Sequence, residues 1–217
     1  MIRASVRASV RVLTAIVMLT LPLGAQSRLE IRAGGLAQLG ARNTLIATDV
    51  NAATGTMLGS ELLARVGRIG VRIRLGGGTF TDSSGTTIGD LAGADLGVQF
   101  GNAQLVVEGG ISRRALAGPR GTVIATAFRP GAIYQIPIGE TGLALRIAPA
   151  LFVAAGASEP KMSGLDLETG LVWTPPQWPI YAQLGYRYEQ FTMTSGGTDR
   201  PEEMGSVIIG GGVRWRR

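Results

Sequence analysis

The stretch SGLDLETGLVWTPPQWPIYAQLGYRYEQF, residues 163–191, decides the fold. In its first half, Asp166 and Glu168 alternate with leucines. In its second half, Arg187 and Glu189 alternate with apolar and tyrosine side chains. A period of two is typical of β-strands whose two faces meet different surroundings. The stretch therefore predicts a pair of strands with one charged face and one apolar face.

The same period recurs along most of the chain and predicts an all-β protein. Each predicted strand is near the ~9–11 residues that a tilted strand needs to cross a bilayer. One merged hairpin would give eight strands in place of ten. The ten predicted strands are 28–39, 57–66, 70–80, 90–100, 103–112, 122–136, 142–154, 163–174, 179–191 and 205–216.

The connections between these strands alternate between long and short. The sequence predicts long polar loops at 40–56, 81–89, 113–121, 155–162 and 192–204. It predicts tight turns at Arg68-Ile69, Gly101-Asn102, Gly139-Glu140 and Pro175-Pro176. Long loops at one end, short turns at the other and an even strand number predict a closed antiparallel up-and-down transmembrane β-barrel.

The turns also predict which residues face each other across neighbouring strands. The Pro175-Pro176 turn sets Asp166 opposite Arg187, and the Gly101-Asn102 turn sets Asp95 opposite Glu108. Two facing carboxylates repel, so this pair is either an acid/base or cation site or is neutralised by arginines. We favour neutralisation by arginines, for which the sequence offers Arg72, Arg74 or Arg129 on adjacent strands.

Two prolines interrupt the pattern. The Gly139-Glu140 turn sets Pro130 opposite Pro149. Because proline has no N–H to donate to the ladder, we expect a bulge or a weak seam there.

The alternation leaves open which face points inward. A soluble lipocalin-like barrel keeps its apolar face inside, whereas a membrane barrel inverts it. The inverted arrangement is favoured because the charged face is rich in Gly and Ala, and because aromatic residues cluster at the short-turn end, as at a membrane interface. These predicted interface aromatics are Phe100, Tyr134, Trp173, Trp178, Tyr181 and Trp215.

An inverted barrel directs a nearly neutral set of charges into its lumen. In a ten-stranded barrel, long arginines that reach carboxylates would fill the lumen and leave no wide pore. A selective conduit is the alternative. The predicted luminal charge network consists of Glu30, Arg32, Glu61, Arg65, Arg72, Arg74, Asp95, Glu108, Arg129, Arg146, Asp166, Glu168, Arg187, Glu189 and Arg214.

The start of the chain predicts export. Three arginines precede a run of 12 apolar residues, Val12 to Leu23, and the small residues Gly24-Ala25 follow. This is typical of a secretory signal peptide, which we expect to be cleaved after Ala25. The predicted organisation is a signal peptide, 1–25, followed by a barrel domain, 26–217.

Composition removes several classes of function. The chain has no histidine and no cysteine, and so lacks the commonest general base and the commonest metal ligands. We expect no cofactor, no metal and no catalytic site. The arginines are scattered about one per strand, whereas nucleic-acid proteins mass their charge on one stripe, so we expect no nucleic-acid partner.

The pattern as a whole resembles the bacterial outer-membrane β-barrel proteins, in their small porin-like form. Val207, Ile209, Val213 and Trp215 look like the closing strand of that class, although Arg216 and Arg217 follow where the family usually ends on the aromatic residue. The resemblance implies an outer-membrane location, with the lipid bilayer and, during insertion, the barrel-assembly machinery as partners. Enzymes of similar fold, such as the omptin proteases and the outer-membrane phospholipases, depend on histidine, which this chain lacks.

Three functions remain open from the sequence. The first is a structural or surface-interaction barrel with a plugged lumen, whose loops 40–56 and 192–204 face outward. The second is a porin-like channel for small solutes. The third is a soluble periplasmic lipocalin-like binding barrel.

Overall fold

The structure, a computed structural model, describes residues 29–46, 49–118, 121–156 and 160–217. The predicted signal peptide, 1–25, lies outside these residues. Within them the chain forms eleven strands, and they contain no helix long and apolar enough to cross a membrane. The strands are β1 (Leu29–Ile46), β2 (Asp49–Val66), β3 (Ile69–Thr81), β4 (Thr87–Gly101), β5 (Leu105–Gly118), β6 (Gly121–Phe128), β7 (Gly131–Ile138), β8 (Leu143–Ala154), β9 (Lys161–Trp173), β10 (Ile180–Ser195) and β11 (Thr198–Arg216).

The strands close into one antiparallel barrel. Apart from β6 and β7, each strand pairs with its neighbour along the chain, and β1 pairs with β11 to complete the ring. The short strands β6 and β7 both pair with β5 on one side and β8 on the other, so together they occupy a single position. The barrel therefore has ten positions, and the predicted ten-stranded closed barrel is confirmed over the eight-stranded alternative.

Four strands rise above the others on one side of the barrel. β2, β1, β11 and β10 are consecutive in the ring and contain 18, 18, 19 and 16 residues. The predicted loops 40–56 and 192–204 are therefore wrong, because strand pairing continues through most of both segments. Gly196 and Gly197, with φ of 58° and 72°, close the second hairpin in two residues. Polar strand ends that stand in water resemble loops in composition, which explains the error. We call these four strands the tall wall.

The predicted loop 113–121 is also wrong. β5 continues to Gly118 and β6 begins at Gly121, so Arg113 and Arg114 belong to a strand. A loop occurs at 82–86, shorter than the predicted 81–89. β9 begins at Lys161, so residues 161 and 162 of the predicted loop 155–162 belong to a strand.

The predicted registers differ from the observed ones by even numbers of residues. Asp95 faces Ser112, and Glu108 faces Gln99, so the predicted Asp95–Glu108 pair is wrong. The cause is the turn, which centres on Ala103-Gln104 because the Asn102 side-chain oxygen accepts hydrogen bonds from the amides of residues 104 and 105.

A shift of two residues occurs across the Pro175-Pro176 turn. Arg187 faces Glu168 there instead of Asp166. An even shift moves a residue along the strand but leaves it on the same face, so the predicted division into two faces survives.

The proline interruption is a gap in the ladder without a change in register. Pro130 faces Leu151 and accepts a hydrogen bond from its amide at 2.9 Å, so the predicted Pro130–Pro149 pair is wrong. β6 and β7 keep the same register against β5, so no residue is inserted and no bulge forms. Strand assignment breaks at Arg129 and Pro130, because proline has no N–H to donate. The pairing of β7 with β8 has a second gap between Gly131 and Tyr134, opposite Pro149.

The exterior of the barrel is apolar and the interior holds the charges. Among the described residues, twenty-nine large apolar side chains are exposed, from every part of the ring. The buried side chains include many arginines and carboxylates of the strands. The predicted interface aromatics Phe100, Tyr134, Trp173, Trp178 and Trp215 are all exposed. Tyr181 is the exception: it is 5% exposed and faces the lumen. The prediction for Tyr181 is wrong because it shares its strand face with Gln183 and Arg187.

Candidate functional site

The lumen contains three layers from one end of the barrel to the other. At the long-loop end lies the apolar layer, a cluster of buried Ala, Leu, Met and Phe side chains that includes Phe80, Leu116, Phe152, Met162 and Phe191. In the middle lies a layer of arginines and carboxylates, and at the short-turn end lies an open cavity of about 810 Å³. We refer to the last two as the charge network and the vestibule.

The charge network joins twelve buried side chains into one connected set. Six arginines and six carboxylates take part, so the charges of the layer cancel. Its members are Glu61, Arg72, Arg74, Asp95, Glu108, Arg114, Arg129, Arg146, Asp166, Glu168, Arg187 and Glu189.

Ion pairs of this network cross the lumen. Arg74 on β3 donates to Glu61 on the neighbouring strand and to Glu168 on β9, each at 2.8 Å. β3 and β9 lie five positions apart in a ring of ten, which places them on opposite sides. Arg114 on β5 similarly reaches Glu189 on β10 at 2.8 Å. Two side chains thus bridge the lumen in the same layer.

Arg129 and Arg187 connect the two halves of the network. Arg129 donates to Glu108 at 2.7 Å and to Asp166 at 2.6 Å. Arg187 lies within 4.0 Å of Asp166, Glu189 and Asp95. Charge-assisted hydrogen bonds to planar guanidinium groups fix the geometry of both partners. The arginines therefore hold carboxylates from several strands in place.

Two luminal glycines make room for these long side chains. A Cβ atom at Gly97 would lie 2.9 Å from the Glu108 carboxyl carbon, and one at Gly93 would lie 3.0 Å from an Arg114 guanidinium nitrogen. Small residues on the luminal face thus leave the space that the charged side chains fill.

Eleven of the twelve network members belong to the set predicted from the sequence. Arg114 is the member that sequence reasoning missed, because residues 113–121 were assigned to a loop. The even positions Ser112, Arg114 and Leu116 continue the luminal face of β5, which is the signal that could have found it. Asp95 is bound by Arg114 and Ser112, and Glu108 by Arg72, Arg129 and Gln99. Of the arginines predicted to neutralise these carboxylates, Arg72 and Arg129 contact Glu108, whereas Arg74 contacts neither.

The other four predicted residues line the vestibule. Arg32 donates to Glu30 at 2.6 Å. Arg65 donates to the main-chain oxygens of Gly67 and Gly101, and Arg214 to that of Pro175. These side chains lie apart from the twelve-membered network.

The apolar layer is a further luminal feature that the sequence analysis did not identify. Its aromatic rings Phe152 and Phe191 meet edge to face with centroids 5.9 Å apart, and the Arg114 guanidinium lies 5.3 Å from the Phe152 ring centre. The layer thus packs directly against the charge network.

In the described part of the chain, no three acidic side chains are grouped as a metal site would need.

The relation between exterior and interior decides the class of protein. A closed barrel leaves no sheet edge unpaired, and an apolar exterior around an ionic interior suits a surrounding of hydrocarbon. The fold is that of an outer-membrane β-barrel protein. The soluble lipocalin-like alternative is excluded, because it requires the opposite arrangement of the two faces.

Comparison with known proteins finds matches among solved structures. No family model matches the chain, and no curated protein matches it. Among solved structures, the translocator domain of the autotransporter NalP from Neisseria meningitidis is 14% identical with a TM-score of 0.42, and 96% of each chain is covered. Neisserial surface protein A is 13% identical with a TM-score of 0.39, covering 83% of this barrel protein and 96% of that chain. OprG from Pseudomonas aeruginosa is 14% identical with a TM-score of 0.33, covering 87% and 96%.

Proposed function

We propose that this outer-membrane barrel protein is a non-conducting scaffold that presents the tall wall at the cell surface. The observation that supports the proposal is the filling of the lumen by two layers, a neutral network of twelve charged side chains and a layer of packed apolar side chains against it. We infer that each layer obstructs the axis of the barrel, and the two layers differ in chemistry. An ion that passed the network would still have to enter the apolar layer.

The upper part of the tall wall stands beyond the membrane. A strand needs about 9–11 residues to cross a bilayer, whereas these strands contain 16 to 19. Polar contacts hold its upper part, such as the hydrogen bond from Tyr188 to Glu203 at 2.8 Å and that from Thr194 to Asp199 at 2.6 Å. Recognition on barrels is concentrated on such projecting segments, which a rigid body holds in place. Lipid is the partner of the apolar exterior, and we infer assembly by the barrel-assembly machinery.

Planar-bilayer recording of the purified protein tests the occlusion. We expect the wild type to give no steady openings. The double variant R114A/F152A removes one side chain from each obstructing layer, and we expect it to conduct. The matched control R113A/L151A makes the same two kinds of truncation on the adjacent exposed positions, and it should stay silent. Steady openings of the wild type would favour the small-solute channel.

Surface labelling of intact cells tests the orientation. An epitope tag inserted at the Gly196-Gly197 turn lies at the top of the tall wall, whereas one inserted at the Gly67-Arg68 turn lies at the opposite end. We expect antibody to reach only the first tag unless the cells are permeabilised. Labelling of the Gly67-Arg68 tag alone on intact cells would refute the proposed presentation of the wall.

A further inference from the structure

The vestibule carries positive charge that its own walls do not neutralise. Seven arginines and three glutamates line it. Arg72, Arg146 and Glu61 are already paired in the charge network, which leaves five arginines against two glutamates, an excess of three positive charges. The charge network above it holds equal numbers of both signs. The excess is therefore confined to the end of the lumen that opens between the short turns.

Two of these arginines donate their hydrogen bonds to main-chain oxygens, and Glu30 acts on both only from beyond ion-pair distance. Arg65 donates to the main-chain oxygens of Gly67 and Gly101, and Arg214 donates to that of Pro175 at 3.0 Å. Within the described ranges, no carboxylate lies within 4.0 Å of either guanidinium group. A carbonyl fixes the position of a guanidinium without cancelling its charge. Both groups are thus held in place, with N–H donors left for another partner.

A third arginine marks the inner end of the cavity. Arg146 lines the vestibule and is 7% exposed. Its Nε lies 3.4 Å from Glu168 Oε1, and it donates no hydrogen bond within the described part of the chain. Gln183 lies beside it on the wall of a small adjoining pocket, and the buried Gln183 Nε2 also lacks an acceptor there. Buried donors without acceptors are unfavourable, so this point of the lumen favours a ligand that brings acceptors.

We propose that the vestibule binds a small solute that carries phosphate groups and enters from the short-turn end. Guanidinium groups match phosphate oxygens in a bidentate geometry, and a polyphosphate group supplies several negative charges at once. A volume of about 810 Å³ suits a small-molecule ligand. A cation would meet net repulsion in this cavity, and an uncharged solute would leave the arginine charges unpaired. This binding does not depend on the proposed surface role.

Calorimetric titration of the full folded protein in maltoside micelles, at low salt, tests the site with inorganic pyrophosphate as the probe. We expect the wild type to bind pyrophosphate saturably and not to bind sucrose, the uncharged control solute. The variants R65Q and R214Q should each weaken pyrophosphate binding by about tenfold, because each loses a charge-assisted contact. R65K and R214K keep the charge and should weaken it less than the glutamine variants do.

The matched control is R113Q, which removes one arginine charge from the exposed face of β5. It should bind pyrophosphate as the wild type does, which separates the site from the net charge of the protein. Heat-modifiable migration on a gel verifies that each variant is folded. The proposal fails if folded R65Q/R214Q binds pyrophosphate as tightly as the wild type, or if the wild type shows no saturable binding. Conductance recordings remain an independent test of the proposed scaffold function.

Discussion

The charge network and the vestibule use the same residue type on the same face of the barrel, yet they differ in how that residue is paired. In the network, Arg187 lies within 4.0 Å of three carboxylates. In the vestibule, the hydrogen bonds that Arg65 donates within the described residues go to main-chain oxygens. The comparison teaches that a luminal position does not by itself decide what an arginine does. The supply of carboxylates from other strands at the same height decides it.

That supply is unequal along the barrel axis. β9 and β10 alone place Asp166, Glu168 and Glu189 at the height of the network. Among the described residues, seven arginines and three glutamates line the vestibule, and of these Arg72, Arg146 and Glu61 already belong to the network. The charge network can therefore pair its own charges, whereas the vestibule leaves some of its arginines without a carboxylate partner.

The largest expected effect on stability comes from replacing an arginine by glutamine, a change that can be made once in the charge network and once in the vestibule. R187Q leaves buried carboxylates without their cation, and we expect the free energy of unfolding to fall by about 4 kcal/mol. R65Q removes hydrogen bonds to two main-chain oxygens at a site open to water, and we expect a loss of about 1 kcal/mol. Urea unfolding in lipid vesicles measures both. Equal losses would contradict the difference between the layers.

A slightly smaller effect is expected where the network meets the apolar layer. F152A removes the ring contacts with Phe191 and Arg114, and a buried Phe truncated to Ala costs about 3 kcal/mol of unfolding free energy. Leu151 is the next residue on the same strand and is 55% exposed on the outer face. The same unfolding experiment on L151A should therefore give a much smaller loss. If both variants lose the same amount, the apolar layer contributes no packing of its own.

The strand interruption beside Arg129 offers a gain in stability. Pro130 accepts a hydrogen bond from the Leu151 amide but has no N–H to return. P130V supplies that N–H to the Leu151 oxygen, and we expect about 1 kcal/mol of additional unfolding free energy. P137V is the matched control, because Pro137 lies beyond the end of β5, which begins at Leu105, and its N–H would find no ladder acceptor there. Equal gains in the two variants would show that the missing hydrogen bond is not the cause.

The smallest expected effect on stability is that of salt, which should act differently on the charge network and on the vestibule. The network is buried, so raising sodium chloride to about 0.5 M should leave the unfolding free energy nearly unchanged, whereas the same salt should weaken pyrophosphate binding in the open vestibule. Denaturant unfolding and calorimetric titration in the same buffers measure the two quantities. A fall in stability as steep as the fall in binding would place the network in contact with solvent ions.

The assignment of residues to the luminal or the outer face could largely be predicted from the sequence, because the alternation of faces survives errors in strand register. The turn at Asn102 shifts the β4–β5 pairing by four residues and the Pro175-Pro176 turn shifts β9–β10 by two. Even shifts leave every residue on its predicted face. Arg114 and Tyr181 were misassigned for local reasons, since one was placed in a loop and the other was grouped with neighbouring aromatics against its own alternation.

The sequence by itself determined the two-faced strands, their number and the set of side chains directed into the lumen, because a period of two is a local property of each strand. Only the tertiary structure decided which charges meet. Arg74 and Glu168 are 94 residues apart and come together only because the ring closes and brings opposite strands within reach of long side chains. The apolar layer and the unneutralised vestibule likewise depend on the height of each residue along the barrel axis, which closure and register set together.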